Sequence, residues 1–168
     1  MSGTHDGQPP RLERFGPKTL SGLIGVHNPA REDAVLIKQV GAQWDDMAAR
    51  HIAACGSSPK IKYGVFQRMR DGDTSFEYFC GTETAAGAQN GFAVLQIPAL
   101  YCAVFQFTDN LLHFRSFMHM LFGQVLPAAD LEPAPDGPGV PEFIERYNDR
   151  FDHRTGDGGL EVLIPLKE

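Results

Sequence analysis

Residues 143–147, Phe143-Ile144-Glu145-Arg146-Tyr147, set one carboxylate between two aromatic rings at two-residue spacing. In an extended strand alternate side chains share a face, so Phe143, Glu145 and Tyr147 project together while Ile144 and Arg146 project the other way. Glu145 is then the single charge on its local face. Turned into a groove, such a carboxylate is costly to keep ionised, and it either raises its pKa or finds a cation. A flat organic cation meets both needs, because it neutralises the carboxylate and lays its charge over aromatic faces at roughly 0.5 to 2 kcal/mol per contact. Turned to solvent, the same residue is an exposed strand glutamate paired with Arg146 or Arg150. The residues by themselves leave both readings open.

Other candidate chemistry is sparse. His113 and His119 stand six positions apart, which is not the i, i+4 spacing of a helical metal pair, and no Cys or carboxylate joins them at ligand spacing. Neither a metal nor a cofactor is expected. Gly156-Asp157-Gly158-Gly159 reads as a hairpin turn, since it does not lead from a strand into a helix as a phosphate-binding loop must. Ser57-Ser58 has no nucleophile-elbow context. The three cysteines, Cys55, Cys80 and Cys102, sit among apolar neighbours and read as buried, unreactive thiols. Asp and Glu outnumber Lys and Arg by 21 to 15 with no basic cluster, which disfavours a direct hold on nucleic acid. No apolar run approaches the roughly 18 to 20 residues of a membrane helix, and the first ten residues are too polar for a signal peptide. A cytoplasmic protein, monomeric or weakly dimeric, is expected.

The elements that position Glu145 follow from periodicity. Residues 1–10 read as a loose tail. Lys18 to His27 is bounded by Pro17 and Asn28-Pro29 and reads as the first strand. From Asp33, Ile37, Val40, Trp44, Met47, Ala48 and Ile52 fall on one face of a helix ending near Cys55-Gly56, weakened at Gly41. Strands over 62–69 and 75–84 flank an Asp71-Gly72-Asp73 turn. After the small-residue loop 85–91, residues 92–108 are strand-like with a break at Pro98. Leu111, Phe114, Phe117, Met118, Leu121 and Val125 then mark a second helix that Pro127 should end. Five prolines from Pro127 to Pro141 describe a long irregular loop, followed by strands at 143–150 and 160–166.

The two halves align. Lys18 to His27 matches residues 99–108, and Phe-Glu-Tyr-Phe-Cys-Gly-Thr-Glu at 76–83 matches Leu-Glu-Val-Leu-Ile-Pro-Leu-Lys at 160–167, both at an offset of about 80 residues. The expected fold is α+β: duplicated strand-helix-hairpin (βαββ) repeats, about 11–84 and 92–168, related by a pseudo-twofold axis, with two helices on an antiparallel sheet. Neither half alone covers its sheet face and helix stripe, so the two pack together and the groove between them is the natural ligand site. Trp44 on the first stripe, and Phe117 and Leu121 on the second, would wall that groove with Tyr147 and the strand residues Phe66, Tyr78 and Tyr101. Trp44 and Phe117 equally suit core positions, and both Tyr78 and Tyr101 could pack between layers with the hydroxyl at the surface.

Lys18-Thr19-Leu20-Ser21-Gly22, Trp44, Tyr63-Gly64-Val65, Phe76-Glu77-Tyr78 with Gly81, Ile97-Pro98, Tyr101-Cys102-Ala103-Val104-Phe105, Leu126-Pro127, Ile144-Glu145-Arg146-Tyr147 and Ile164-Pro165 together resemble the successive signatures of GyrI-like effector-binding domains, from about Arg11 to the C-terminus. Ile144 departs from the family's usual Phe-Glu-x-Tyr and leaves the glutamate in place. That family includes the ligand-binding halves of AraC-type and MerR-type transcription regulators, gyrase-inhibitory proteins and single-domain cassette-encoded modules. The resemblance implies the same duplicated α+β fold and a stand-alone effector domain, since the regulators carry a helix-turn-helix region where this sequence has a polar stretch. It also implies a lipophilic, cationic small molecule held by Glu145, as the matching glutamate does in multidrug-binding relatives. Two further roles come with it. Some members are hydrolases that open strained rings of cytotoxic compounds, with Glu145 then the acid or base, and others bind gyrase.

Overall fold

A computed structural model of the chain describes residues 10–28, 32–57, 59–68, 75–83, 91–135, 137, 139–152 and 156–168. Residues 1–9 of the tail expected over 1–10, the turn at Asp71-Gly72-Asp73, most of the 85–91 loop, Pro29 and Ser58 lie outside the described residues.

The chain runs β1 (Arg11–Phe15), β2 (Lys18–His27), α1 (Asp33–Cys55), β3 (Ile61–Arg68), β4 (Phe76–Thr82), β5 (Ala93–Ile97) and β6 (Leu100–Phe107). A second helical segment, β7 (Phe143–Asn148) and β8 (Leu160–Pro165) follow. The strands form one antiparallel eight-stranded sheet in the order β1-β6-β8-β7-β3-β4-β2-β5. Exchanging β1 with β5, β2 with β6, β3 with β7 and β4 with β8 returns that order read backwards. This exchange is a necessary condition of the expected twofold, but the helices do not share it. α1 is one continuous helix of 23 residues closed by Gly56 in the left-handed conformation, φ 82°, whose N–H reaches the Ile52 carbonyl. Its counterpart is assembled from a 3-10 turn at Leu111–His113, α2 (Phe114–Met120), a π turn at Leu121–Val125 and α3 (Leu126–Ala128).

Three expectations change. β1 is a strand where only the onset of structure was legible; it pairs with β6, far away in sequence. The second helix passes Pro127 by one residue. Proline has no N–H to contribute and is tolerated in the first turn of the short α3, which ends where Asp130 adopts φ 56°. Finally, Ile52 is exposed, and the buried residue near that end of α1 is His51, whose Nδ1 lies 2.8 Å from the Ser57 carbonyl.

Pairing registers assign each side chain to a face. Ile24, Phe79, Val65, Ile144, Leu163 and Val104 form one cross-strand row on the outer face, most of it buried in a core with Phe15, Leu20 and Tyr63. The neighbouring row on the inner face is Leu23, Cys80, Gly64, Glu145, Val162 and Phe105. The helices pack on that inner face, around Trp44, Met47, Phe117 and Leu121. Glu145 is the one charged residue in its row.

Candidate functional site

The inner face and the helices leave a cleft of about 670 Å³, counted out to its open mouth. α1 supplies one wall through Leu36, Ile37, Val40, Gly41 and Trp44. The strands supply the floor through Phe66, Phe76, Tyr78, Glu145 and Tyr147, and Leu111, Phe114 and Phe151 close the far side. Phe66 anchors the floor, stacked on Phe143 at 4.2 Å and on Phe76 at 4.8 Å between ring centroids, with Tyr78 edge-on at 4.9 Å. At Gly41 an added Cβ would meet nothing within 4 Å, so the helix there lends the cleft its space. Asp33 and Arg115 also line the cleft, joined Oδ1 to Nε at 3.0 Å, which ties the start of α1 to α2.

Gln43 fixes α1 on the sheet: its amide donates to the carbonyls of Leu23 (3.1 Å) and Tyr78 (2.9 Å), and its oxygen lies 2.8 Å from His27 Nε2. Next along the helix, buried Trp44 turns its indole inward. The Tyr78 hydroxyl donates to Glu145 Oε1 at 2.6 Å. Having placed its one proton there, it accepts from Trp44 Nε1–H at 3.0 Å and from the Tyr147 hydroxyl at 3.4 Å. Three side chains from three elements thus converge behind one carboxylate. Gly64 permits this, because a Cβ on β3 would collide with both the Tyr78 hydroxyl and the Glu145 carboxylate.

Among the described residues Glu145 has no cation of its own. Arg146 projects through the opposite face, where it meets Glu13 at 2.7 Å and Glu161 at 2.9 Å. The described residues provide Glu145 with Tyr78 as hydrogen-bond partner through Oε1 and with no ion pair, leaving the other oxygen to the cleft. Burial pushes the Glu145 pKa up to about 7, against the smaller opposing pull of the Tyr78 hydrogen bond. Burial also drives the Tyr78 and Tyr147 phenols well above their ordinary range, so both stay protonated as donors.

Of the residues expected at the groove, Glu145, Tyr147, Trp44, Tyr78 and Phe66 come together in this cleft. Phe117 and Leu121 do not line it; they are buried in the inner core, where Phe117 packs its ring 5.0 Å from Phe107. The cleft opens at the start of the second helical segment, so Leu111 and Phe114 of the same apolar stripe face it instead. Tyr101 is also absent from the lining: on β6 it lies under the Arg14 guanidinium at 5.1 Å. Phe76 was legible as the same-face neighbour of Tyr78, whereas nothing in the sequence pairs Asp33 with Arg115. The thiols of Cys80 and Cys102 are buried and pushed to about 12, but Cys55 is exposed at the end of α1. Among the described residues no group of three His, Cys, Asp or Glu could hold a metal, and no helix is long and apolar enough to cross a membrane.

Known structures share this architecture. SAV2435, solved bound to tetraphenylphosphonium, is 15% identical with a TM-score of 0.64, covering 95% of this chain and 94% of its own. A Staphylococcus aureus protein, named as a candidate in bacterial transcription regulation, is 15% identical with a TM-score of 0.65, covering 96% of this chain and 100% of its own. An integron cassette protein from the mobile metagenome of Vibrio cholerae is 15% identical with a TM-score of 0.60, covering 95% and 97%. At such identity the likeness is one of fold. No curated protein sequence matches the chain. The model of the GyrI-like small molecule binding domain matches residues 8–167, nearly the whole sequence. With the eight-stranded sheet and its helix-covered cleft, this places the chain in the family of GyrI-like small molecule binding domains.

Proposed function

We propose that the cleft binds a lipophilic, aromatic organic cation, with Glu145 as its electrostatic anchor and Trp44, Tyr78, Tyr147 and Phe66 as its aromatic surround, and that the domain acts as a sensor or sequestering module. One observation carries the reading: a carboxylate that has no ion-pair partner among the described residues faces an apolar, aromatic-walled space with one oxygen held by Tyr78 and the other open. A buried charge in that condition is expensive, and a ligand cation removes the cost. Tetraphenylphosphonium, the ligand held by SAV2435, has the matching chemistry: a positive charge shielded by four apolar phenyl rings.

Calorimetric titration with tetraphenylphosphonium and the neutral triphenylphosphine oxide tests this. The wild-type protein should prefer the cation, and Glu145→Gln should weaken the cation roughly tenfold or more while barely altering the neutral compound. Equal weakening of both would remove Glu145 from the anchor role. Trp44 is the sole tryptophan, so its emission should follow saturation.

A second reading draws on the same pair of groups. A carboxyl near pKa 7 hydrogen-bonded to a phenol suits general acid–base work, here the hydrolytic opening of a strained ring. Chemical analysis of the recovered compound separates the two, since binding returns it intact and hydrolysis yields a ring-opened product with turnover.

A further inference from the structure

We infer that Lys62, which does not line the cleft, sets how strongly the cleft favours a cation, because it holds a resident positive charge against two of the cleft's rings. The inference rests on the cation-binding reading above. Lys62 lies opposite Tyr147 in the β3–β7 register, on the inner face of β3. Its ammonium sits 5.8 Å from the centroid of the Trp44 ring and 5.8 Å from that of Tyr147. The same two rings line the ligand cleft. Trp44 also lines a small separate cavity with Lys62, His51 and Met47, so the indole stands as a partition between the cleft and the lysine.

The charge of Lys62 is poorly compensated. Among the described residues its side chain makes no hydrogen bond or ion pair, and its ammonium lies against those two rings. Its side chain is only partly exposed, and burial lowers its pKa, with the field of Asp149 as the opposing influence. An aromatic ring offers negative potential on both faces. Lys62 already uses that potential from one side, so a ligand cation within about 6 Å of the other side meets rings whose pull is partly offset and a like charge roughly 10 Å away. At an effective dielectric constant of about 20, softened by partial solvent access, that repulsion corresponds to about three- to tenfold in affinity. Lys62 thus acts as a specificity-determining residue that tempers the attraction of Glu145 and moves the balance toward neutral aromatic ligands.

The test compares tetraphenylphosphonium with triphenylphosphine oxide at about pH 8, where Glu145 is largely ionised. Lys62→Met, which keeps the apolar stem, should tighten the cation about three- to tenfold and leave the neutral compound within about twofold. Lys62→Arg, which keeps the charge, should retain wild-type values for both. Should Lys62→Met fail to fold by thermal denaturation, Lys62→Gln carries the same expectation. Unchanged or weakened cation binding in the uncharged variant overturns the inference and leaves the anchor role of Glu145 standing; so does equal tightening of both compounds, which reports altered packing. A wild-type protein that binds no cation overturns the proposed function and this inference together.

Discussion

Glu145 and Arg146 are neighbours on β7, yet they inhabit opposite electrostatic designs. On the outer face Arg146 joins Glu13 and Glu161, and Arg11 adds a contact to Glu161 at 2.7 Å. That network holds the Glu13 pKa below its ordinary value, chiefly through the Arg146 hydrogen bond. On the inner face Glu145 receives one neutral hydroxyl, that of Tyr78, and an apolar wall, and its pKa rises to about 7. One strand therefore carries a closed set of charges on one side and an open one on the other. The closed set belongs to the fold, and the open one is the anchor proposed for a ligand.

The largest effect expected from disturbing this contrast is at Gly64. Gly64→Val would drive a side chain into the Tyr78 hydroxyl and the Glu145 carboxylate, destabilising the protein by about 3 kcal/mol in denaturant unfolding and abolishing cation binding. A near-wild-type midpoint would show that the inner network tolerates rearrangement.

Next is the pH dependence of stability in the ligand-free protein. The folded Glu145 pKa of about 7 lies above its ordinary 4.5. The folded state therefore binds the extra proton between those values, and stability falls as pH rises through that window. The loss is on the order of 2 kcal/mol by about pH 8, allowing for the opening of the carboxylate to the cleft. Glu145→Gln should flatten this slope. Glu13 works with the opposite sign: its lowered pKa contributes stability above the ordinary carboxylate value that is lost as pH falls through the folded one. Identical slopes for wild type and Glu145→Gln between about pH 5 and 8 would erase the distinction between the two faces.

Removing the closed set should cost less, because it is partly solvated. Arg146→Ala is expected to destabilise by about 1 kcal/mol, read from the unfolding midpoint, with ligand affinity unchanged. A change in cation affinity would mean that the faces are coupled through β7. The smallest effect is at Gly41, where Gly41→Ala should stabilise α1 by less than about 1 kcal/mol and trim the cleft by one methyl group.

Much of this arrangement was legible because it depends on local periodicity. Alternation put Glu145 and Tyr147 on one face and Arg146 on the other, and the stripe from Asp33 to Gly56 gave α1 its full length. What stayed hidden depends on partners far away in sequence. β1 is short and charged, and it becomes a strand through β6 and the ion pairs of Arg11 and Glu13. The apolar stripe of the second helix was visible, but not which end of it meets the cleft, so Phe117 and Leu121 were expected where Leu111 and Phe114 stand. The π turn at Leu121–Val125 has no compositional signature that periodicity would register. Nothing in the sequence marks Lys62, because its partners, Trp44 and Tyr147, come from α1 and β7.

The central claim, that Glu145 is an open charge awaiting a cation, is tested most directly by a carboxyl carbon NMR titration of glutamate-labelled protein, with Glu145→Gln used to assign the resonance. In the free protein the Glu145 midpoint should lie near the raised value of about 7, and saturation with tetraphenylphosphonium should carry it down toward the ordinary carboxylate range. A midpoint near 4.5 in the free protein, or one that saturation leaves in place, would contradict the account.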